Sequence, residues 1–173
     1  MKNEKERIQE ATARLFLSLY NEQFTSSFEI DSLGDTPDVV CIEASSKRIL
    51  NLEISLIEDL PGDIQYVLGR GSKPTSPTTG STAVSFFEDS AVQLRASLEK
   101  KLLSSYGANT ALVLRQVSLL WEPMEWASVA DDFRQTVLRG REKNFGAGVW
   151  IICTDNSTWP TSDTLFCMSE PGD

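Results

Sequence analysis

The chain has 173 residues, 25 acidic against 16 basic side chains, a formal charge of −9 and no histidine. That length suits one domain with a core of its own, and the charge argues against gripping nucleic acid by bulk electrostatics, which needs clustered Lys and Arg. Without histidine there is no Ser–His–Asp or Cys–His nucleophile and no His-ligated metal centre.

The N-terminus, MKNEKERIQE, is charged and carries no apolar leader. No stretch approaches the roughly 18 apolar residues of a membrane span. The expectation is a cytoplasmic protein with reduced thiols and no membrane partner. Cys41, Cys153 and Cys167 are widely spaced without a CxxC, each inside a predicted strand, and read as small buried hydrophobes rather than zinc ligands or reactive thiols.

Residues Asn3 to Gln23 predict a helix with Ile8, Ala11, Leu15 and Leu19 inward. Its acids Glu10 and Glu22 are solvated or face a metal site. Phe24 to Leu33 predicts a short strand or strand-like arm, ending at the turn signal Gly34–Asp35. The stretch from Thr36 to Glu58 then organises the chain. It predicts strands Val39–Glu43 and Ile49–Ile57, joined by a polar turn at Ala44 to Arg48. Alternation sends Leu50, Leu52, Ile54 and Leu56 to a core face and Asn51, Glu53 and Ser55 to the other. Pro37 has no N–H, which suits the start of a strand. The hairpin therefore brings Asp38, at the mouth of one strand, close to Glu53, late in the next. Asp38 also reads as a turn-forming acid, whereas Glu53 in an aliphatic strand is costly to bury unpaired.

Pro61–Gly62 breaks the strand, and Gly69 to Gly80, GRGSKPTSPTTG, predicts a mobile loop that closes over a ligand or is a plain excursion. Its GxG is not followed by the residues of a dinucleotide site or a P-loop. A second helix, capped by Asp89 or Ser90, runs to about Tyr106 with Ala91, Leu94, Leu98 and Leu102 inward. Helical phase puts Lys101 at the border of that stripe and Lys100 in water. Thr110 to Val117 predicts a strand buried on both faces. WEPMEW, Trp121 to Trp126, predicts a loop that packs on the domain or presents a surface. Ser128 starts a third helix with Val129, Phe133 and Val137 inward. Arg134, Arg139, Arg141 and Lys143 concentrate basic charge at its end, where the helix dipole accounts for some of it. Val149–Cys153 and Thr164–Met168 predict the last strands. The sum is one α/β domain over residues 1–173, a mixed central sheet flanked by helices.

Pro37–Asp38, followed by Glu53–Ile54–Ser55 at the end of an apolar strand, resembles the PD-(D/E)XK nuclease superfamily. The segment LEKKLLSSYGANTALV, from Leu98 to Val113, looks like a branch of it in which a helix with a lysine and an aromatic residue precedes an apolar strand. The resemblance implies a restriction-endonuclease-like three-layer core and a Mg2+- or Mn2+-dependent nuclease acting on DNA or RNA. Asp38, Glu53 and the backbone carbonyl of Ile54 would hold the metal. The family's usual lysine is replaced by Ser55, which lacks its positive charge. Lys47 is about 20 Å along the hairpin from Glu53, so Lys101, projecting toward Ser55, is the first candidate for the missing catalytic group and Lys100 the second. Lys101 also reads as an edge residue whose stem covers apolar surface. The alternative is a nuclease-like fold without catalysis, a binding or regulatory module with a protein partner or a second copy of itself.

Overall fold

The computed structural model describes residues 4–57, 92, 94–104, 106–116, 123–135, 142–155 and 162–169. Their order is α1 (Glu4–Phe24), β1 (Phe28–Leu33), β2 (Val39–Glu43) and β3 (Ile49–Ile57), then α2 at residues 94–101. β4 (Thr110–Gln116), α3 (Pro123–Phe133), a 3-10 turn at Glu142–Phe145, β5 (Val149–Asp155) and β6 (Ser162–Ser169) follow. Pro61–Gly62, the 69–80 loop, the capping residues Asp89 and Ser90, Ala91, Trp121, Val137, Arg139 and Arg141 fall outside the described residues. Among the described residues no helix is long and apolar enough to cross a membrane.

The strands form one mixed six-stranded sheet in chain order. β3, β4 and β5 are parallel and the remaining pairs antiparallel. Parallel neighbours need crossover connections, and α2 and α3 lie in the two crossovers. Both pack on one face of the sheet, where Leu94, Leu98, Leu102, Trp126 and Phe133 meet Ile57, Leu112, Leu114 and Ile151. α1 covers the other face, where Ala13, Phe16 and Leu17 meet Leu50, Leu52, Val113 and Trp150. Each aliphatic side chain so enclosed contributes about 1.5–3 kcal/mol. Both faces of β3 are therefore core, and Glu53 stands under α2 rather than on an open sheet surface.

Three expectations need correction. The buried seam of α1 is Gln9, Thr12, Ala13, Phe16 and Leu17, while Ala11 is exposed and Ile8, Leu15 and Leu19 only half-buried. The aromatic knot that Phe16 and Tyr20 make with Trp150 sets that rotation. WEPMEW is not a loop throughout: α3 begins at Pro123, proline being favoured in the first helical turn. Trp126 within it is buried, with Nε1 donating to Gln116 Oε1 at 2.9 Å. α2 ends at residue 101 in turns rather than reaching Tyr106. The three cysteines form no disulfide; Cys41 and Cys153 are buried and Cys167 half-buried. Burial, with Asp31 nearby, pushes the Cys41 thiol up to about 12, which keeps it unreactive.

The sheet's two edges are β1 and β6. β1 breaks register with a bulge between Ile30 and Ser32, leaving Asp31 exposed. Near the end of β6, the Arg134 guanidinium donates to the carbonyls of Met168 at 2.7 Å and Cys167 at 3.3 Å, and it pairs with Asp131. Arg134 is thus committed within the fold rather than contributing to a basic surface.

The β2–β3 turn is closed by Glu43. Its carboxylate accepts from Ser46 Oγ, from the Ser27 N–H at 3.0 Å and from Arg48 Nε at 2.9 Å. The Ser46 hydroxyl, the Ser27 N–H and Arg48 hold this carboxyl down, from 4.5 to about 2. A depressed carboxyl contributes stability that is complete above its unfolded value and lost as pH falls through its folded one. Urea unfolding across pH should show that loss between about 4.5 and 2, and Glu43→Gln should flatten the slope in that window.

Candidate metal centre

β2 and β3 do not end together. Their last rung pairs Val39 with Leu52. The Glu43 N–H donates to the Arg48 carbonyl, so hydrogen-bonded rungs alternate from there through Val39–Leu52. The next such rung would place Ile54 opposite Pro37, and proline has no N–H to give. The Asp38 side chain fills part of the gap: its Oδ2 accepts the Ile54 N–H at 2.8 Å. In a hydrogen-bonded position of an antiparallel ladder the N–H and C=O of one residue face the same neighbour. The Ile54 carbonyl therefore faces the space that β2 has vacated.

Further side chains converge there or on the groups that line it. Gln9, buried on α1, donates Nε2 to Asp38 Oδ1. Lys5, one turn earlier, holds Nζ 3.9 Å from that oxygen and 3.3 Å from Asp35 Oδ1. From the other face, Lys101 at the end of α2 forms an ion pair with Glu53 Oε1. The Tyr106 hydroxyl lies 3.5 Å from the same oxygen; burial raises its pKa, and the charge of Glu53 adds to the effect. Asp38 is 5% and Glu53 6% exposed. Asp38, Glu53, Ile54, Gln9, Lys5 and Lys101 share the lining of a cleft of about 450 Å3.

The donors suit a hard divalent ion. Glu53 Oε2 is buried with no hydrogen-bond partner among the described residues, and an unsatisfied buried acceptor costs free energy that a cation would offset. Among the described residues no group of three or more His, Cys, Asp or Glu is arranged to hold a metal. The set is two carboxylates and one carbonyl, which matches an ion that keeps several of its waters, as Mg2+ does, better than a fully dehydrated cage.

The remaining candidates lie apart. Ser55 is half-buried beside Leu114 on the face of Glu53, and it does not line the cleft. Lys101, expected to reach toward Ser55, meets Glu53 instead. Lys100 is exposed, as its helical phase predicts, and Lys47 sits in the hairpin turn with φ of 60°. Glu10 pairs with Arg14 at 2.8 Å and Glu22 is exposed; neither lines the cleft. Sequence reasoning missed Gln9 and Lys5. The signal for Gln9 was present: a polar amide four positions before Ala13 and seven before Phe16 stands in a helical seam, where it needs a partner.

Comparison with models of known families, with curated proteins and with solved structures finds no match to this chain.

Proposed function

We propose that the chain is a divalent-metal-dependent phosphodiesterase of the PD-(D/E)XK type, acting on DNA or RNA. The observation that carries this reading is the shared cleft in which Asp38, Glu53, Ile54 and Lys101 meet at the open end of the β2–β3 hairpin. The element order, a helix and three strands before the first crossover, also suits a restriction-endonuclease-like core. Asp38, Glu53 and the Ile54 carbonyl would hold Mg2+ or Mn2+. When bound, such an ion lowers the pKa of a water and offsets charge developing on the phosphate.

The chain's own groups divide the remaining work. Gln9 and the Ile54 N–H fix the Asp38 carboxylate from two sides, so its orientation is set before any ligand arrives. Lys101 takes the place of the motif lysine that Ser55 replaces. Its ammonium, already at the cleft, passes from Glu53 to a phosphate oxygen when substrate enters, and there offsets negative charge. Tyr106 and Lys101 hold Glu53 Oε1 from the side of α2.

A second reading, a nuclease-like module that binds without turnover, is favoured by Ser55 and by the engagement of Lys101 with Glu53. One experiment separates the two. Calorimetric titration of Mn2+ into the wild type should show saturable binding, weakened at least about tenfold in Glu53→Gln. The same samples should cleave DNA or RNA only where the metal binds. Metal binding without cleavage selects the second reading, and no binding at millimolar Mn2+ overturns the first and leaves a module whose partner binding should survive Glu53→Ala.

A further inference from the structure

The ionic make-up of the cleft assigns a role to Lys5. Four carboxylates line it, Glu4, Asp35, Asp38 and Glu53, against the two ammonium groups of Lys5 and Lys101. A divalent ion held by Asp38 and Glu53 would compete with Lys101 and Lys5 for those two carboxylates and leave both ammonium groups available to an incoming anion. They also come from opposite layers: α1, which carries Lys5, covers one face of the sheet, and α2, which carries Lys101, covers the other. An extended polyanion crossing the open end of β3 passes between them.

Lys5 is built for such a contact. Its side chain is 60% exposed, so it reaches solvent, yet Asp35 tethers it at 3.3 Å and keeps it beside Asp38. Lys101 is only 26% exposed and sits deeper. Depth separates their tasks. The deeper ammonium meets the phosphate being cleaved, and the outer one meets a neighbouring phosphate of the same strand.

We infer that Lys5 is a substrate-binding residue that holds a phosphate flanking the scissile one, making the preferred substrate a polynucleotide strand rather than a small phosphodiester. This inference rests on the phosphodiesterase reading above. A point charge on a phosphate positions a strand without reading its sequence, so the contact should act equally on all sequences.

The test uses the full chain with Mn2+ and a fluorescently labelled mixed-sequence oligonucleotide, with bis(p-nitrophenyl) phosphate as the small substrate. Lys5→Ala should raise KM for the oligonucleotide about fivefold to tenfold with kcat within about twofold. The slope of log affinity against log salt should fall by about 1. KM for the small diester should not move, Lys5→Arg should restore the oligonucleotide KM, and Mn2+ affinity should hold or tighten because a positive charge beside Asp38 is gone. An unchanged oligonucleotide KM in Lys5→Ala overturns the inference and leaves the nuclease reading standing. So does a joint loss of Mn2+ affinity and of activity on both substrates that Lys5→Arg fails to rescue, since that marks a structural role. A wild type that neither binds Mn2+ nor cleaves either substrate overturns the inference together with the reading beneath it.

Discussion

Replacing Lys101 with alanine should destabilise the fold by about 2–3 kcal/mol, between the values for exposed and fully buried ion pairs, and, on the phosphodiesterase reading proposed above, cut cleavage by about 100-fold or more. The stability loss follows from what stays behind. Glu53 would lose its cationic partner under α2, with the Tyr106 hydroxyl near Oε1 and, among the described residues, no hydrogen bond to Oε2. Lys101 itself is partly open to solvent, which screens the pair and keeps the cost below the fully buried limit. The two losses come apart in a double variant. Lys101→Ala with Glu53→Gln removes the stranded charge, so urea unfolding should recover most of the deficit, while cleavage should stay lost because neither metal ligand nor ammonium returns. In Lys101→Ala alone, adding Mn2+ should also restore part of the stability, because the ion would bind only the folded state. A Lys101→Ala protein as stable and as active as the wild type would remove Lys101 from the site.

Trp150→Ala is expected to cost about 3–5 kcal/mol, a large fraction of the roughly 5–15 kcal/mol that holds a domain together. Trp150, on β5, is 1% exposed on the sheet face that α1 covers. Its ring meets Phe16, Tyr20 and Phe24 edge-on, with centroids at 6.4, 5.6 and 5.6 Å. Its indole N–H donates to the Ala147 carbonyl at 2.9 Å. Alanine would leave a cavity beneath three aromatic rings and an unpaired carbonyl. Trp150→Phe retains most of the volume and should cost about half as much. Thermal and urea unfolding followed by circular dichroism would measure both. The effect should extend to the cleft, because the helix held by Trp150 is the one that carries Gln9 to Asp38.

The hairpin was legible because two independent codes agree there. Period-two alternation and the Pro37 and Ala44–Arg48 breaks mark the same boundaries, and the strands fall at Val39–Glu43 and Ile49–Ile57 as expected. Helical phase also told Lys101 from Lys100, since the stripe of Leu94, Leu98 and Leu102 was unambiguous. α1 was harder. Its aliphatic residues flank the seam, while the seam carries Gln9 and Thr12, whose burial depends on partners distant in sequence: Asp38 for Gln9 and Arg115, at 3.2 Å, for Thr12. No local pattern encodes those. WEPMEW misled because proline and tryptophan were read as loop chemistry, whereas proline starts α3 and Trp126 finds Gln116 across the fold. The site was half visible for the same reason: its acids lie fifteen positions apart on one hairpin, and the groups that orient them come from helices at either side.

The treatment of the sheet's edges bears on how the protein behaves when crowded. An exposed edge strand offers unpaired N–H and C=O groups that another chain can extend, the first step toward runaway cross-β association. β1 counters this with the bulge at Asp31 and with the exposed acid Glu29, which an added strand would have to desolvate. At the other edge Arg134 already occupies carbonyls near the end of β6. A variant that straightens β1 and discharges it, such as Asp31→Val with Glu29→Thr, trades this protection for a smooth edge and should form fibrils at concentrations the wild type tolerates.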